Sequence, residues 1–192
     1  MKNLIETINI KDGEIFNLSY HQNRLNNSRV KLYKREDILD LKPIISPPKI
    51  GLYRCRVVYN IDILKIEYIP YTPKKIESIK IVHSNIDYGY KYEDREELNS
   101  LIPKGIDEII IVKDNLITDT TISNIALFDG ENWISPKTSL LNGTYRQKLI
   151  DEKKLKLEDI NIDKLQKFKK IAIINAMVGF KVLENINIRE II

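Results

Sequence analysis

Four short runs in this chain carry residue types that can do chemistry. They are His21-Gln22-Asn23-Arg24-Leu25, Lys91-Tyr92-Glu93-Asp94-Arg95, Ile117 through Asp119, Ser123 and Asn124 to Ile125, and Leu140-Leu141-Asn142-Gly143-Thr144-Tyr145-Arg146. A lysine amine is a nucleophile and a proton carrier, while a guanidinium and a helix N-terminus present fixed donors to an anion. Each run also has a plainer reading. Lys91 can be a solvated lysine, Arg24 and Arg146 surface or ion-pair residues on helices, and Asp119 and Asn124 turn residues. For Arg146 the structural role is preferred. His21 and His83 read as structural, because neither has the sequence partners of a metal or triad site. Each run is weak alone, since a chain with 31 Lys and Arg readily places one before a helix.

The elements that must position these residues fall into an α/β (α+β) pattern. Leu4 to Ile10 alternates loosely, Asp12-Gly13 offers a hairpin turn, and Glu14 to Leu18 follows. Ser19 is expected to cap a helix running to Tyr33. Pro43, Pro47 and Pro48 mark a loop. Gly51–Asn60 and Ile63–Pro70 read as a strand pair and Ile79–His83 as another strand, so residues 1–84 form a small N-terminal α/β lobe. Residues 85–92 read as a linker. The second lobe, 93–192, opens with a helix from Glu93 to about Ile102, stopped by Pro103 and Gly105. Short strands at Glu108–Lys113, Leu116–Thr118, Ser123–Phe128 and Asn132–Ser135, with turns at Asp114-Asn115 and Asp129-Gly130, predict a strongly curved sheet. A helix from Gly143 through Ile150, a segment Lys153–Leu157, a short helix near Leu165, and strands at Ile171–Ile174 and Phe180–Ile186 complete it.

Composition narrows the partners. The net charge is +4, with 31 basic residues dispersed among 27 acidic ones, so the block expected of a nucleic-acid binder is missing. A small anionic ligand suits this balance. Cys55 is the single cysteine, which leaves no intrachain disulfide and no multi-cysteine metal site; it reads as a buried, inert thiol. The early acids in MKNLIETINIKDGE do not suit a signal peptide. No uncharged stretch approaches the roughly 20 residues of a membrane span, so a cytoplasmic protein is expected.

In this order and spacing the four runs resemble the class IV (fold type IV) pyridoxal-phosphate family, which includes branched-chain aminotransferases, D-amino-acid aminotransferases and aminodeoxychorismate lyases. The resemblance runs from about Glu6 to Gly179, and its most specific piece is the acid and Ser-Asn-Ile followed by Ser135-Pro136 and Leu-x-Gly-x-x-Arg. It implies a small N-terminal lobe and a curved-sheet or pseudo-barrel second lobe. It also implies that Lys91 bonds pyridoxal 5′-phosphate and then moves protons on the substrate. Arg24, the turn Gly143-Thr144-Tyr145 and the backbone at Ala176-Met177 match phosphate-binding positions, and Leu141 matches an apolar residue under the ring. Asp119 stands where the family has a Glu that keeps the ring nitrogen protonated, one methylene shorter. Thr144 then Tyr145 replaces an aliphatic residue then Thr, so Thr144 is expected to take over the hydroxyl role.

Within that family, Thr7 in Leu4-Ile5-Glu6-Thr7-Ile8 and the run Lys91 to Arg95 look like the lyases. The implied reaction is conversion of 4-amino-4-deoxychorismate to 4-aminobenzoate and pyruvate for folate synthesis, with Thr7 handing a proton to the departing group. Arg54 and Arg56, two apart on one strand, are candidates for the substrate's carboxylates. The resemblance also implies a homodimer, and an aminodeoxychorismate synthase as a partner. The alternatives are an aminotransferase acting on a branched-chain or D-amino acid, and a non-catalytic binding or scaffold relative.

Overall fold

The computed structural model describes residues 1–188 and 191. The chain divides into two compact units, Met1–Pro73 with Tyr90–Asp94, and Lys74–Gly89 with Arg95–Ile192. This differs from the expected boundary near residue 84. Strand Ile79–His83 pairs in parallel with Glu108–Lys113 of the second unit, and residues 90–94, of which 90–92 were expected as linker and 93–94 as the start of the second lobe, return to the first.

The first unit is a four-stranded antiparallel sheet, ordered β2-β1-β3-β4, with one helix. β1 (Leu4–Lys11) turns through Asp12 and Gly13, both at positive φ, into β2 (Glu14–Ile15), as an Asp-Gly hairpin requires. Helix α1 (Leu18–Tyr33) begins after Asn17, which takes the left-handed conformation and makes no side-chain cap. Ser19 is therefore the second helical residue and not the cap. β3 (Leu52–Tyr59) and β4 (Ile63–Pro70) complete the sheet. Alternation along β1 and β3 sends Leu4, Ile8, Ile10, Cys55, Val57 and Tyr59 into a core closed by Leu25 and Leu41. Buried Arg29 anchors the loop after α1, donating to the Ile61 carbonyl (2.8 Å) and the Asp37 carboxylate (2.8 Å).

The second unit has two sheets. One is three-stranded: β5 (Ile79–His83), β6 (Glu108–Lys113) and β7 (Leu116–Ile117). The other is five-stranded, ordered β10-β9-β8-β11-β12, from β8 (Asn124–Phe128), β9 (Trp133–Pro136), β10 (Lys156–Glu158), β11 (Lys170–Asn175) and β12 (Gly179–Val182). Ile110, Val112 and Ile117 from the first meet Ile125, Leu127, Ile171 and Ile173 from the second in one core. Strand β6 is buried along nearly its whole length, which explains its unbroken run of Ile and Val. Helix α2 (Glu96–Ser100) is shorter than expected, because the segment before it is engaged by β1. Helix α3 (Thr144–Asp151) and a 3₁₀ turn at Ile162–Lys167 follow. Among the described residues no helix is long and apolar enough to cross a membrane.

Candidate active site

In the first unit, α1 delivers His21 and Arg24 to the same carboxylate. Their three-residue spacing places both on one helix face, and Glu6, on the inward side of β1, lies opposite. Arg24 Nε donates to Glu6 Oε1 (2.8 Å) and Arg24 Nη2 to Oε2 (2.6 Å), a two-point fork. His21 Nδ1 also meets Oε2 at 2.6 Å; a carboxylate only accepts, so this nitrogen carries the hydrogen. Glu6 and His21 are fully buried. Burial by itself raises the Glu6 carboxyl, but the Arg24 charge and the bonds from His21 and Arg24 outweigh it and bring it down to about 2. For His21, burial lowers the pKa, the bond and charge of Glu6 work against that, and the charges of Arg24 and Lys91 add to the lowering, leaving the imidazole neutral.

Lys91 sits beside the same strand. Leu4 and Tyr92 form an antiparallel bridge and the Ile5 N–H donates to the Lys91 carbonyl at 2.9 Å. β3 occupies the other edge of β1 along its length, so residues 90–92 extend the edge that β2 covers only near Lys11. Tyr90 and Tyr92 on either side of the lysine pack onto the core of this unit. Glu93 then accepts from Asn3 Nδ2 (3.0 Å) and Arg56 Nη2 (2.8 Å), pinning the segment. Thr7 lies two residues along β1 from the Lys91 partner, paired across the sheet with Arg56.

In the second unit, Asp119 is buried at the turn between β7 and β8. Its Oδ1 accepts from Asn124 Nδ2 (2.8 Å) and its Oδ2 from the Leu141 N–H (3.0 Å), while Asn124 Nδ2 also donates to the Leu141 carbonyl (2.8 Å). The carboxylate thereby fastens residues 140–143 to the sheet. Burial raises Asp119 to about 6 despite these donors and the Arg146 charge. Gly143 is required here, since a Cβ at that position would lie 1.9 Å from Asn124 Oδ1. Gly143 is also the N-cap of α3 and brings no side chain to its first amides. Thr144 is buried behind it, whereas Tyr145 packs its ring against Gly179. Arg146 is structural, donating to Ser135 Oγ (3.0 Å) and the Pro136 carbonyl (2.6 Å). At Ala176-Met177 the backbone is already committed in part: the Met177 and Val178 N–H groups donate to Asn175 Oδ1 at 2.9 and 3.0 Å.

Three residues position the site; Glu6 and Glu108 were not singled out from sequence, and Arg95 was named there only as the end of the Lys91 run. Glu6 organises Arg24 and His21. Glu108, fully buried, accepts from the Thr121 N–H (3.1 Å) and Oγ1 (2.8 Å), and Arg95 donates to the Thr121 carbonyl (2.6 Å), so both hold the turn that carries Asp119. An acid between two apolar residues of the same strand face, Leu4 and Ile8, was the available signal: a charge on the inward face of a strand has to be paired.

The fold, an antiparallel α/β unit joined to a two-sheet unit, is that of the fold type IV pyridoxal-phosphate enzymes. The family model of class IV amino-transferases matches residues 97–184. A Haemophilus influenzae protein of uncharacterised function is 34% identical over 184 residues, 92% of this chain and 98% of that one. A crystal structure from Haemophilus somnus, provisionally named a 4-amino-4-deoxychorismate lyase, matches at 36% identity and TM-score 0.85, over 93% of this chain and 98% of that one. The pyridoxal-phosphate-bound form of a hypothetical aminotransferase from Mycobacterium tuberculosis shares the fold at TM-score 0.75 and 14% identity, over 98% of this chain and 82% of its own. The chain belongs to the class IV aminotransferase family and is an enzyme of that group of pyridoxal-phosphate-dependent aminotransferases and lyases.

Proposed function

We propose that the chain holds pyridoxal 5′-phosphate on Lys91 and acts as a 4-amino-4-deoxychorismate lyase, releasing 4-aminobenzoate and pyruvate for folate synthesis. The observation that carries this reading is the pairing of residues 90–92 with β1. It sets Lys91 beside Ile5, two residues from Thr7, although the two lie 84 positions apart (91 − 7).

Each unit carries groups whose chemistry suits the cofactor. In the first unit Lys91 offers the amine and Arg24 a guanidinium whose plane Glu6 fixes. In the second, the uncapped start of α3 offers backbone amides to a phosphate, and Asp119 offers a buried carboxylate. Each Asp119 oxygen keeps acceptor capacity beyond the bond it already makes. When bound, pyridoxal phosphate supplies an electron sink for the pair left at the amine-bearing carbon. The Lys91 amine takes the proton from that carbon, and the Thr7 hydroxyl gives one to the enolpyruvyl oxygen as its bond to the ring breaks. The ring becomes aromatic and the released enol becomes pyruvate, with no net oxidation. The enzyme works as a homodimer in this reading, and light scattering of the purified protein checks that.

Assaying 4-aminobenzoate and pyruvate release beside amino transfer tests the reaction. Equal release of both products from 4-amino-4-deoxychorismate is expected. Rapid amino transfer from a simple amino acid, with no pyruvate formed, decides for an aminotransferase.

A further inference from the structure

The backbone bonds that hold the Lys91 segment to β1 are few. The ladder is an isolated Leu4–Tyr92 bridge with one bond on either side, from the Ile5 N–H to the Lys91 carbonyl (2.9 Å) and from the Glu93 N–H to the Asn3 carbonyl (3.0 Å). So short a ladder fixes its register weakly, and a one-residue slip along a strand turns each side chain to the opposite face. For Lys91 such a slip would aim the amine away from the site.

Glu93 supplies the missing constraint. Its Oε2 accepts from Asn3 Nδ2 (3.0 Å) and its Oε1 from Arg56 Nη2 (2.8 Å). Asn3 is itself fixed, since its Oδ1 accepts from Asn60 Nδ2 (3.1 Å) in the turn between β3 and β4. Arg56 is braced in turn by Glu67, through Nη1 (2.9 Å). β3 and the Lys91 segment lie on opposite edges of β1, so the Arg56–Glu93 bond crosses that strand. It crosses on the side turned away from α1, because Leu4, Ile8 and Ile10 face the helix while Thr7, paired with Arg56, faces the other way. The bonds from Asn3 and Arg56 hold the Glu93 carboxyl below the usual carboxylate range, so the clasp is charged at neutral pH. Arg54, two residues along, has its Nε shut away from water, and the expectation that both arginines act together on a substrate gives way to a strut role for Arg56. The neighbouring residues add their own grip: the Lys2 ammonium lies 4.9 Å from the Tyr92 ring centroid, and the Tyr33 hydroxyl donates to the Lys2 carbonyl.

We propose that Glu93 is a positioning residue: clasped by Asn3 and Arg56, it sets the register of residues 91–93 on β1 and so the approach of the Lys91 amine to the cofactor aldehyde. The inference rests on the reading of Lys91 given above. In that reading the Lys91 nitrogen forms a double bond to the aldehyde carbon, and the aldehyde oxygen leaves as water. This step depends on Glu93, whereas the seating of the ring and the phosphate does not.

The test titrates the full chain, freed of cofactor, with pyridoxal 5′-phosphate and with 4′-deoxypyridoxine 5′-phosphate, which keeps the ring and phosphate but carries a methyl in place of the aldehyde. Glu93→Ala should weaken the aldehyde by roughly 5- to 10-fold, the scale of a partly exposed charge-assisted contact, and leave the methyl probe unchanged. Glu93→Gln, which can still accept from Asn3 or Arg56, should recover part of the loss, and Asn3→Ala should repeat it on a smaller scale. In a Lys91→Ala background Glu93→Ala should alter neither probe. Unaltered affinities in Glu93→Ala, or equal weakening of both probes, overturn the proposal and return Glu93 to an ordinary structural ion pair. If the wild-type preference for the aldehyde survives Lys91→Ala, the proposal and the reading of Lys91 beneath it fall together. A preference that Lys91→Ala removes but Glu93→Ala preserves defeats the proposal alone.

Discussion

Replacing Glu6 by Gln removes the charge that Arg24 and His21 share while keeping the shape and an acceptor oxygen. The cost follows from the carboxyl's displacement. Glu6 falls from an ordinary 4.5 to about 2 in the folded protein. At about 1.36 kcal/mol per unit, 4.5 − 2 = 2.5 units corresponds to about 3 kcal/mol of stability at pH 7. This agrees with the lower end of the ~3–5 kcal/mol that breaking a buried pair costs, as expected when Arg24 retains 15% of its side-chain exposure and can turn toward water. A depressed carboxyl contributes fully above its unfolded pKa and loses that contribution as pH falls through the folded one, so the window is pH 4.5 to 2. At pH 3 the same relation leaves about 1.5 kcal/mol. Because the Glu6 charge raises His21 in the wild type, the comparison is made with His21→Asn in both proteins, so that Glu6 is the titrating group by which they differ. Urea unfolding at pH 7 and pH 3, followed by circular dichroism, measures the difference. A gap below 1 kcal/mol at pH 7, or one that does not narrow on acidification, refutes the argument that Glu6 is ionised and paired.

Lys91→Ala should lose the yellow absorbance of bound pyridoxal phosphate while far-ultraviolet dichroism is unchanged, and borohydride reduction of the wild type should place the pyridoxyl label on Lys91. Arg24→Ala, made in the Glu6→Gln background so that no buried carboxylate is stranded, should weaken pyridoxal phosphate by roughly 10- to 100-fold in an absorbance titration; unchanged affinity would mean that Arg24 serves α1 alone. Thr7→Val, isosteric on a strand, should keep cofactor and fold yet slow 4-aminobenzoate formation by about 10²-fold, and an unaltered rate would return Thr7 to an ordinary β-branched strand residue.

Much of the framework is visible in the chain. Ile63–Pro70, Ile79–His83 and Glu108–Lys113 begin and end where their apolar runs meet turn residues, and the Asp-Gly and Asp-Asn turns take the positive φ values such pairs favour. What was hidden is long-range. Nothing local in Ile79–His83 tells which sheet it joins, because parallel pairing depends on a partner 29 residues away (108 − 79). Likewise Asn17 enters α1 through a left-handed residue set by the Phe16 N–H bonding back to the Asn9 carbonyl, which pre-empts the Ser19 cap. Of the candidate site, the residue types were legible, but the engagement of Asp119 by Asn124 and Leu141, and of Arg24 by Glu6, appears only once side chains from separate elements converge.

The return of residues 90–94 to β1 has a consequence for how this protein is made. On the ribosome the N-terminal sheet reaches β4 with the Leu4–Glu6 edge still bare, and β5 of the second unit is synthesised before the strand that covers it. For that interval the nascent chain carries an open edge of unpaired amides and carbonyls, the kind of template on which strands from other chains pair. Lys91 arrives on the segment that closes it. A fragment ending at Pro73 would therefore lack both its covering strand and its reactive lysine, so protection of the Ile5 amide in pulse-labelled nascent chains should appear only after residue 94 has emerged.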